Sequence, residues 1–233
     1  MNLLSGVIGV IFTLEGRIDI AFLLMLLSMA FDFCDGLAAR LLKAESKIGL
    51  ELDSLADVVS FGVLPSLMLF KTAGSQICPV SAYLTLILAA FSALRLAKFN
   101  LDERQHDGFL GLPTPSAAII CGSLTYYVHS TPNGCLAQIC STCWFLPLVA
   151  IVLSALLVCE IPMFSLKFGK GKPSDKKANL KRVLYAASLI PVCIIVIVCK
   201  CNWSMALLLA FCLYPLANVI FAAIPSLKQE ESH

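Results

Sequence analysis

Four aspartates, Asp32, Asp35, Asp53 and Asp57, interrupt a stretch of sequence that is otherwise apolar. They stand in two motifs, Asp32-Phe-Cys-Asp-Gly-Leu-Ala-Ala-Arg40 and Gly49-Leu-Glu-Leu-Asp-Ser-Leu-Ala-Asp57, with eight residues between them. Asp32 and Asp35 are three apart and Asp53 and Asp57 four apart, so on helices each pair shares a face. An ionisable side chain at membrane depth is costly and therefore faces a partner or a polar cavity. Arg40 alone cannot balance four carboxylates. Hard oxygen ligands in this number suit Mg²⁺ or Mn²⁺, and two ions could share bridging carboxylates. Gly36 and Gly49 cost helix stability and leave bare backbone where a ligand or a partner helix can come close. Arg40, four residues after Gly36, adds a guanidinium suited to phosphate. A buried Asp/Arg network or an ion pathway would also use acids at depth. The excess of carboxylates and the interleaved glycines favour a metal and phosphate site over both.

The elements that must position these residues are membrane helices. The chain has 233 residues, of which 59% are hydrophobic and 14% charged, against roughly 45–50% and 25% in soluble domains. The expected fold is all-α, a polytopic integral membrane bundle forming one domain over 1–233. Runs measured against the ~20 residues needed to cross a bilayer predict about eight transmembrane helices. They lie near 2–14, 18–43, 48–72, 79–100, 113–129, 143–166, 180–199 and 203–225. The aspartate motifs fall in a helical hairpin over 18–72, and further helices occupy 143–225. The first segment is short and begins at Met1 without a basic or amphipathic lead-in, which reads as a truncated or alternative start. It lacks the charged region and cleavage site of a signal peptide.

Charge sets the expected orientation. With the N-terminus inside, fourteen of the 17 basic residues fall on inner connections and helix ends; only Arg17, Lys71 and Lys200 lie outside. This is a positive-inside pattern, and it opens the aspartate cluster to the cytoplasm. The lysines of 167–182 mark an inner loop and could also attract anionic lipid headgroups. Of eleven cysteines, most lie in predicted spans and behave there as small apolar residues. Cys135, Cys140 and Cys143 share an outer loop, where a disulfide is open to them; as a zinc site they lack a fourth ligand of suitable spacing. The three histidines fall in loops or the tail and signal no site.

The pattern D-x2-D-G-x2-A-R-x8-G-x3-D-x3-D resembles the signature of the CDP-alcohol phosphotransferases. Asp32, Asp35, Gly36, Ala39, Arg40, Gly49, Asp53 and Asp57 match it without gap or substitution. The resemblance implies two divalent metal ions, Mg²⁺ or Mn²⁺, that bind the diphosphate of a CDP-linked lipid, and release of CMP as a hydroxyl takes its place. It implies Asp32, Asp35 and Asp53 as metal ligands, and Asp57 as a ligand of the second metal and general base. Gly36, with Ala39 and Gly49 in the same signature, would belong to the CDP-lipid site by leaving room for the cytidine nucleotide, and Arg40 would hold its phosphates. A homodimer is also implied.

The signature leaves the acceptor open. The run 53–63, Arg95-Leu-Ala-Lys-Phe-Asn100 and Gly111-Leu-Pro-Thr-Pro115 resemble phosphatidylserine synthases of the integral-membrane type, covering with the signature about 32–115. The start departs from that family, which has a polar stretch before the first span. The expected reaction is transfer of the phosphatidyl group from CDP-diacylglycerol to L-serine. Arg95 could pair the serine carboxylate, serve as counter-ion to the aspartates, or snorkel with Lys98. Asn100 is either a second polar contact or a helix-end residue. Ser60, seven residues after Asp53, is either a pocket hydroxyl or one bonded back to its own helix. Glu160 could meet the acceptor ammonium or a neighbouring helix. In Gly111-Leu-Pro-Thr-Pro115, a proline fits the first turn of the next helix and Thr114 could cap it. Alternatives are the same transfer to glycerol 3-phosphate or an inositol compound, or a membrane cation or proton carrier. No nucleic acid polymer is expected as a partner. The expected location is a bacterial inner membrane.

Overall fold

The computed structural model describes residues 1–42, 46–74, 79–101, 109–163, 183–192, 196 and 202–223. The order is α1 (Asn2–Leu14), α2 (Ile18–Leu41), α3 (Lys47–Asp57), a π-helical stretch Val58–Val63, α4 (Leu64–Gly74), α5 (Pro79–Ala82), a 3₁₀ turn Tyr83–Leu86, and α6 (Ile87–Leu101). After these come α7 (Thr114–Ser130), α8 (Cys135–Cys140), α9 (Phe145–Val158), α10 (Val183–Val192) and α11 (Trp203–Ala223). The architecture is all-α apart from one short antiparallel pairing of Phe109–Leu110 with Pro162–Met163.

Among the described residues, three helical rods are long and apolar enough to cross a membrane: Ile18–Ala39, Ile48–Gly74 and Val80–Leu101. The second is the run of α3, the π stretch and α4, and the third joins α5, the 3₁₀ turn and α6. Shorter apolar helices among the described residues include α1, α9 and α10. Of the about eight transmembrane helices expected, three are long rods among the described residues, and the predicted segments 143–166, 180–199 and 203–225 run partly outside those residues. The predicted segment 143–166 is cut at Val158, where Cys159 turns extended. Pro162 follows, which biases the residue before it away from helix and cannot donate to one.

The hairpin expected over 18–72 is in fact a three-helix unit. Helix α1 packs on α2 on one side and on the π stretch and α4 on the other. Two glycines explain how it gets so close. A Cβ on Gly6 would collide with Ser60, and one on Gly9 would meet the Leu64 side chain at 2.8 Å. The wedge is then pinned by hydroxyls: Ser5 Oγ donates to the Leu24 carbonyl (2.9 Å), and Ser28 and Ser60 Oγ both donate to the Asn2 carbonyl (3.3 Å each). At its other end, the turn into α2 uses Gly16 with φ +83°, and Lys71 Nζ donates to the last-turn carbonyl of Leu14 (3.0 Å). These bonds fasten α1 to its neighbours, the serine bonds within the packed interface and the Lys71 bond at the exposed end.

Two apolar clusters hold the bundle. One joins Phe22 and Met25 of α2 to Phe61, Leu64, Met68 and Ala118. The larger gathers α4, α6, α7, α9 and α11 around Leu88, Leu112, Ile120, Leu153 and Leu208. Helix α7 lies at the centre, with almost every residue from Thr114 to Thr125 buried. Its Gly122 accepts the Phe22 and Met25 side chains where a Cβ would meet them at 2.5–2.6 Å.

Cys135, Cys140 and Cys143 are free thiols, so the disulfide left open by their shared loop is not formed. Cys140 is buried, and burial pushes its thiol up to about 11, which keeps it protonated and inert.

The Gly111 segment locks the entry to α7. Gly111 has φ +75°, its amide donates to the Ile161 carbonyl (3.0 Å), and the Leu112 amide donates to the Leu156 carbonyl (2.8 Å). A Cβ there would lie 2.6 Å from the Leu157 oxygen and 2.7 Å from that of Cys159. Gly111→Ala combines a disfavoured backbone conformation with a steric clash and is expected to destabilise the protein by about 1–3 kcal/mol or more. A lowered melting temperature in detergent is the readout; an unchanged one contradicts this account.

Candidate active site

Helix α2 carries Asp32, Asp35, Gly36, Ala39 and Arg40 in its last three turns; α3 carries Gly49, Asp53 and Asp57. Ser46 starts α3 as its N-cap, its hydroxyl accepting the Gly49 amide at 3.1 Å. That bond satisfies one of the free donors of the first turn and sets the phase of the helix, turning Asp53 and Asp57 toward α2. Gly49 therefore has a local structural role, and a Cβ on it would sit 3.0 Å from the Ser46 hydroxyl.

The two motifs meet across the helices. Carboxylate oxygens of Asp32, Asp35 and Asp53 all lie within 4.8 Å of one another. Asp32 is the hinge of the group, within interaction range of both Asp53 and Asp57. Asp35 is exposed, whereas Asp32 and Asp57 are half-buried. Among the described residues no lysine or arginine forms an ion pair with any of the four; the ion pair found is Lys98 with Glu160, at 3.0 Å. Several like charges at this separation repel strongly in a medium of low dielectric. The donor set is hard oxygen, at a spacing that one or two divalent cations can bridge. The residues present thus fit Mg²⁺ or Mn²⁺. Arg40 lies within α2, but its side chain is outside the described residues.

Asp57 is held by a residue the motif does not contain. The side-chain amide of Asn2, at the start of α1, donates to Asp57 Oδ1 at 2.9 Å. Asn2 is only 2% exposed. Its sequence signal is a lone amide in an apolar segment, easily passed over in a helix too short to read as a span.

Arg95 is buried at 8% exposure, which removes the snorkelling alternative. Its Nη1 donates to Thr114 Oγ1 at 2.9 Å, its guanidinium lies 5.9 Å from the centre of the Phe99 ring, and it is near enough to Asp57 to interact with its charge. Its Nε has no partner among the described residues. Thr114 is accordingly a guanidinium acceptor rather than a cap; Pro113 occupies the N-cap position of α7.

Three other residues can be set beside their sequence expectations. Ser60 is fully buried and its hydroxyl donates to the Asn2 carbonyl of a different helix, not back to its own. The reason is the π stretch at Val58–Val63: its wider turn breaks the 3.6-residue period that placed Ser60 beside Asp53. Asn100 is not a bare helix end. Its amide donates to Ser54 Oγ (3.0 Å) and reaches Glu51 (3.5 Å), tying α6 to α3 beside the aspartates. Glu160 bonds Lys98 on the neighbouring helix.

The comparisons with known proteins point the same way. A model of the family described as CDP-alcohol phosphatidyltransferase matches residues 1–158. A CDP-diacylglycerol–serine O-phosphatidyltransferase of Bacillus subtilis (strain 168) is 36% identical over 127 residues, covering 54% of this chain and 72% of that protein. Proteins of the same description from Mycobacterium bovis and Helicobacter pylori (strain J99) are 34% and 35% identical over 170 and 121 residues. Those alignments cover 70% and 51% of this chain, and 58% and 51% of the two relatives. The chain thus spans little more than half the length of the Mycobacterium and Helicobacter relatives.

The carboxylate group makes a direct forecast. Asp53→Asn removes one charged ligand while keeping the side chain's shape, and is expected to weaken Mn²⁺ binding at least tenfold, since ligand charge count tunes affinity. Titration followed by Mn²⁺ paramagnetic resonance measures it. Unchanged affinity would take Asp53 out of the metal site.

Proposed function

Because the chain belongs to the CDP-alcohol phosphatidyltransferase family, we propose that it transfers the phosphatidyl group of CDP-diacylglycerol to the hydroxyl of L-serine, giving phosphatidylserine and CMP. The observation that carries the catalytic half is the convergence of Asp32, Asp35 and Asp53 within 4.8 Å, with Asp57 adjoining. The names of the relatives, all serine transferases, support the acceptor.

Bound at Asp32, Asp35, Asp53 and Asp57, two Mg²⁺ or Mn²⁺ ions would supply the positive charge that neutralises the diphosphate and stabilises the departing CMP oxygen. The remaining work falls to side chains. Gly36, Ala39 and Gly49 keep the walls low where the nucleotide enters, and Arg40 binds its phosphates. Asp57 takes the proton of the serine hydroxyl as that oxygen bonds to the lipid-linked phosphorus; the bond from this phosphorus to the CMP oxygen breaks, and CMP leaves with the electron pair. This is general base catalysis on positioned reactants.

Arg95 is the candidate for the serine carboxylate. It is buried, held by Thr114, near Asp57, and retains an unpartnered Nε among the described residues. Asn100, on the α3 face at Ser54 and Glu51, is the weaker candidate for an acceptor contact. A phosphorylated acceptor such as glycerol 3-phosphate would call for a second basic cluster, and Lys98 is already engaged with Glu160. That favours serine. The positive-inside pattern faces this site to the cytoplasm, in a bacterial inner membrane, and the protein works as a homodimer.

Purified protein in detergent with CDP-diacylglycerol and Mn²⁺ or Mg²⁺ is expected to release CMP only when serine is added. Asp57→Asn should lower that rate by about 10²–10⁴-fold, the usual worth of a general base. Release driven by glycerol 3-phosphate or inositol instead of serine would keep the catalytic site and overturn the acceptor. Arg95→Lys keeps the charge but loses the planar fork, so the KM for serine should rise with little change in the KM for CDP-diacylglycerol. A rise in the donor KM alone would move Arg95 to the nucleotide.

A further inference from the structure

We propose that Asn2 is a positioning residue for Asp57, bringing the short first helix into the catalytic machinery; this rests on the reading of Asp57 as the general base. Its amide donates to Asp57 Oδ1 at 2.9 Å. With one carboxylate oxygen engaged, rotation of the group is fixed and its other lone pairs keep a constant direction toward the metals and the acceptor hydroxyl. Partners of this kind, one step removed from a metal-bound carboxylate, orient the ligand and raise its effectiveness.

Two features separate this role from simple packing. The backbone of α1 is anchored without the Asn2 side chain, because Ser28 and Ser60 bond to the Asn2 carbonyl and Ser5 bonds to Leu24. The helix therefore has no structural need for an amide at this position. Moreover, turning Nδ2 onto Asp57 leaves Asn2 Oδ1 buried with no hydrogen-bond partner among the described residues. A buried acceptor without a donor costs stability. An apolar residue of the same size would avoid that cost, so the amide is explained by what it does for Asp57.

The distance also links α1 to substrate turnover. The carbonyl and side chain of one residue connect α2 through Ser28, the π stretch through Ser60, and the base through Nδ2. The site thus depends on a helix that carries none of the signature residues.

The test compares Asn2→Leu and Asn2→Asp in the full chain, with Asp57→Asn assayed in parallel. Leucine keeps the volume and removes the donor. We expect kcat for CMP release to fall about 10–100-fold, the usual effect of losing such a partner. The KM for CDP-diacylglycerol should stay within about twofold and the melting temperature of metal-free protein should be no lower than the parent's. Asn2→Asp keeps the shape but sets a carboxylate against Asp57, so its kcat should fall below that of Asn2→Leu; a packing role gives the opposite order. Parent-like kcat in Asn2→Leu, a kcat loss matched by a drop in melting temperature, or higher activity in Asn2→Asp than in Asn2→Leu would each overturn the proposal. Should Asp57→Asn keep its activity, the general base reading fails and this inference with it. Should Asp57→Asn be inactive while Asn2→Leu is unimpaired, the inference alone fails.

Discussion

Mutual repulsion among Asp32, Asp35, Asp53 and Asp57 is the constraint around which this protein is organised. A single charged side chain at the centre of a membrane helix costs about 2.5–3.5 kcal/mol on insertion scales. Here several are gathered within a few ångströms, and among the described residues none forms an ion pair with a lysine or arginine. Positive charge from divalent ions would offset that repulsion, and the hard oxygen donors of this group fit such ions. The surrounding helices hold the acids at fixed separation so that this charge is welcomed rather than scattered.

Holding them takes three helices. α2 and α3 present the motifs, but α1 sets their spacing by lying between α2 and the rod of α3, the π stretch and α4. Gly6 and Gly9 let it approach, the serine hydroxyls at 5, 28 and 60 fasten it, and Asn2 reaches Asp57. Close helix contact through small residues and hydroxyls is how membrane bundles cohere, because burial of apolar surface gives no gain over lipid. The π stretch immediately after Asp57 belongs to the same design. It carries Ser60, which bonds the Asn2 carbonyl, so the same residue of α1 is fastened to the π stretch and bonded to Asp57.

On the other side, α6 and α7 frame the cluster. Arg95 is withdrawn from both lipid and water by Thr114, Phe99 and the nearby Asp57. A buried guanidinium with a donor to spare is rigid and strongly attractive to an anion. Asn100 and Lys98 brace the ends of α6 against α3 and Glu160. The Gly111 turn locks the start of α7 to the end of α9, which keeps Thr114 beneath the arginine.

Much of this was legible in residue order alone. Carboxylates three and four apart in an apolar surround point to a group of acids that could hold metal, and Asp32, Asp35 and Asp53 do converge, because helical periodicity is local and membrane insertion is unforgiving of charge. The long rods and their limits also follow from composition. What composition could not reveal was anything that depends on which helices touch. Ser60, read as a pocket hydroxyl or one bonded to its own helix, sits in a π stretch and bonds the Asn2 carbonyl of another helix. A proline-marked segment expected as helix to residue 166 ends at Val158 and pairs briefly with Phe109–Leu110. Thr114, expected as a cap, accepts the bond of an arginine nineteen residues earlier. Above all, Asn2 and Asp57 are 55 residues apart, and no local rule connects them. Sequence determined the chemistry, since that rests on residue type and spacing within a turn or two; tertiary packing decided which residues hold it in place, since that contact exists only once three helices have closed on one another.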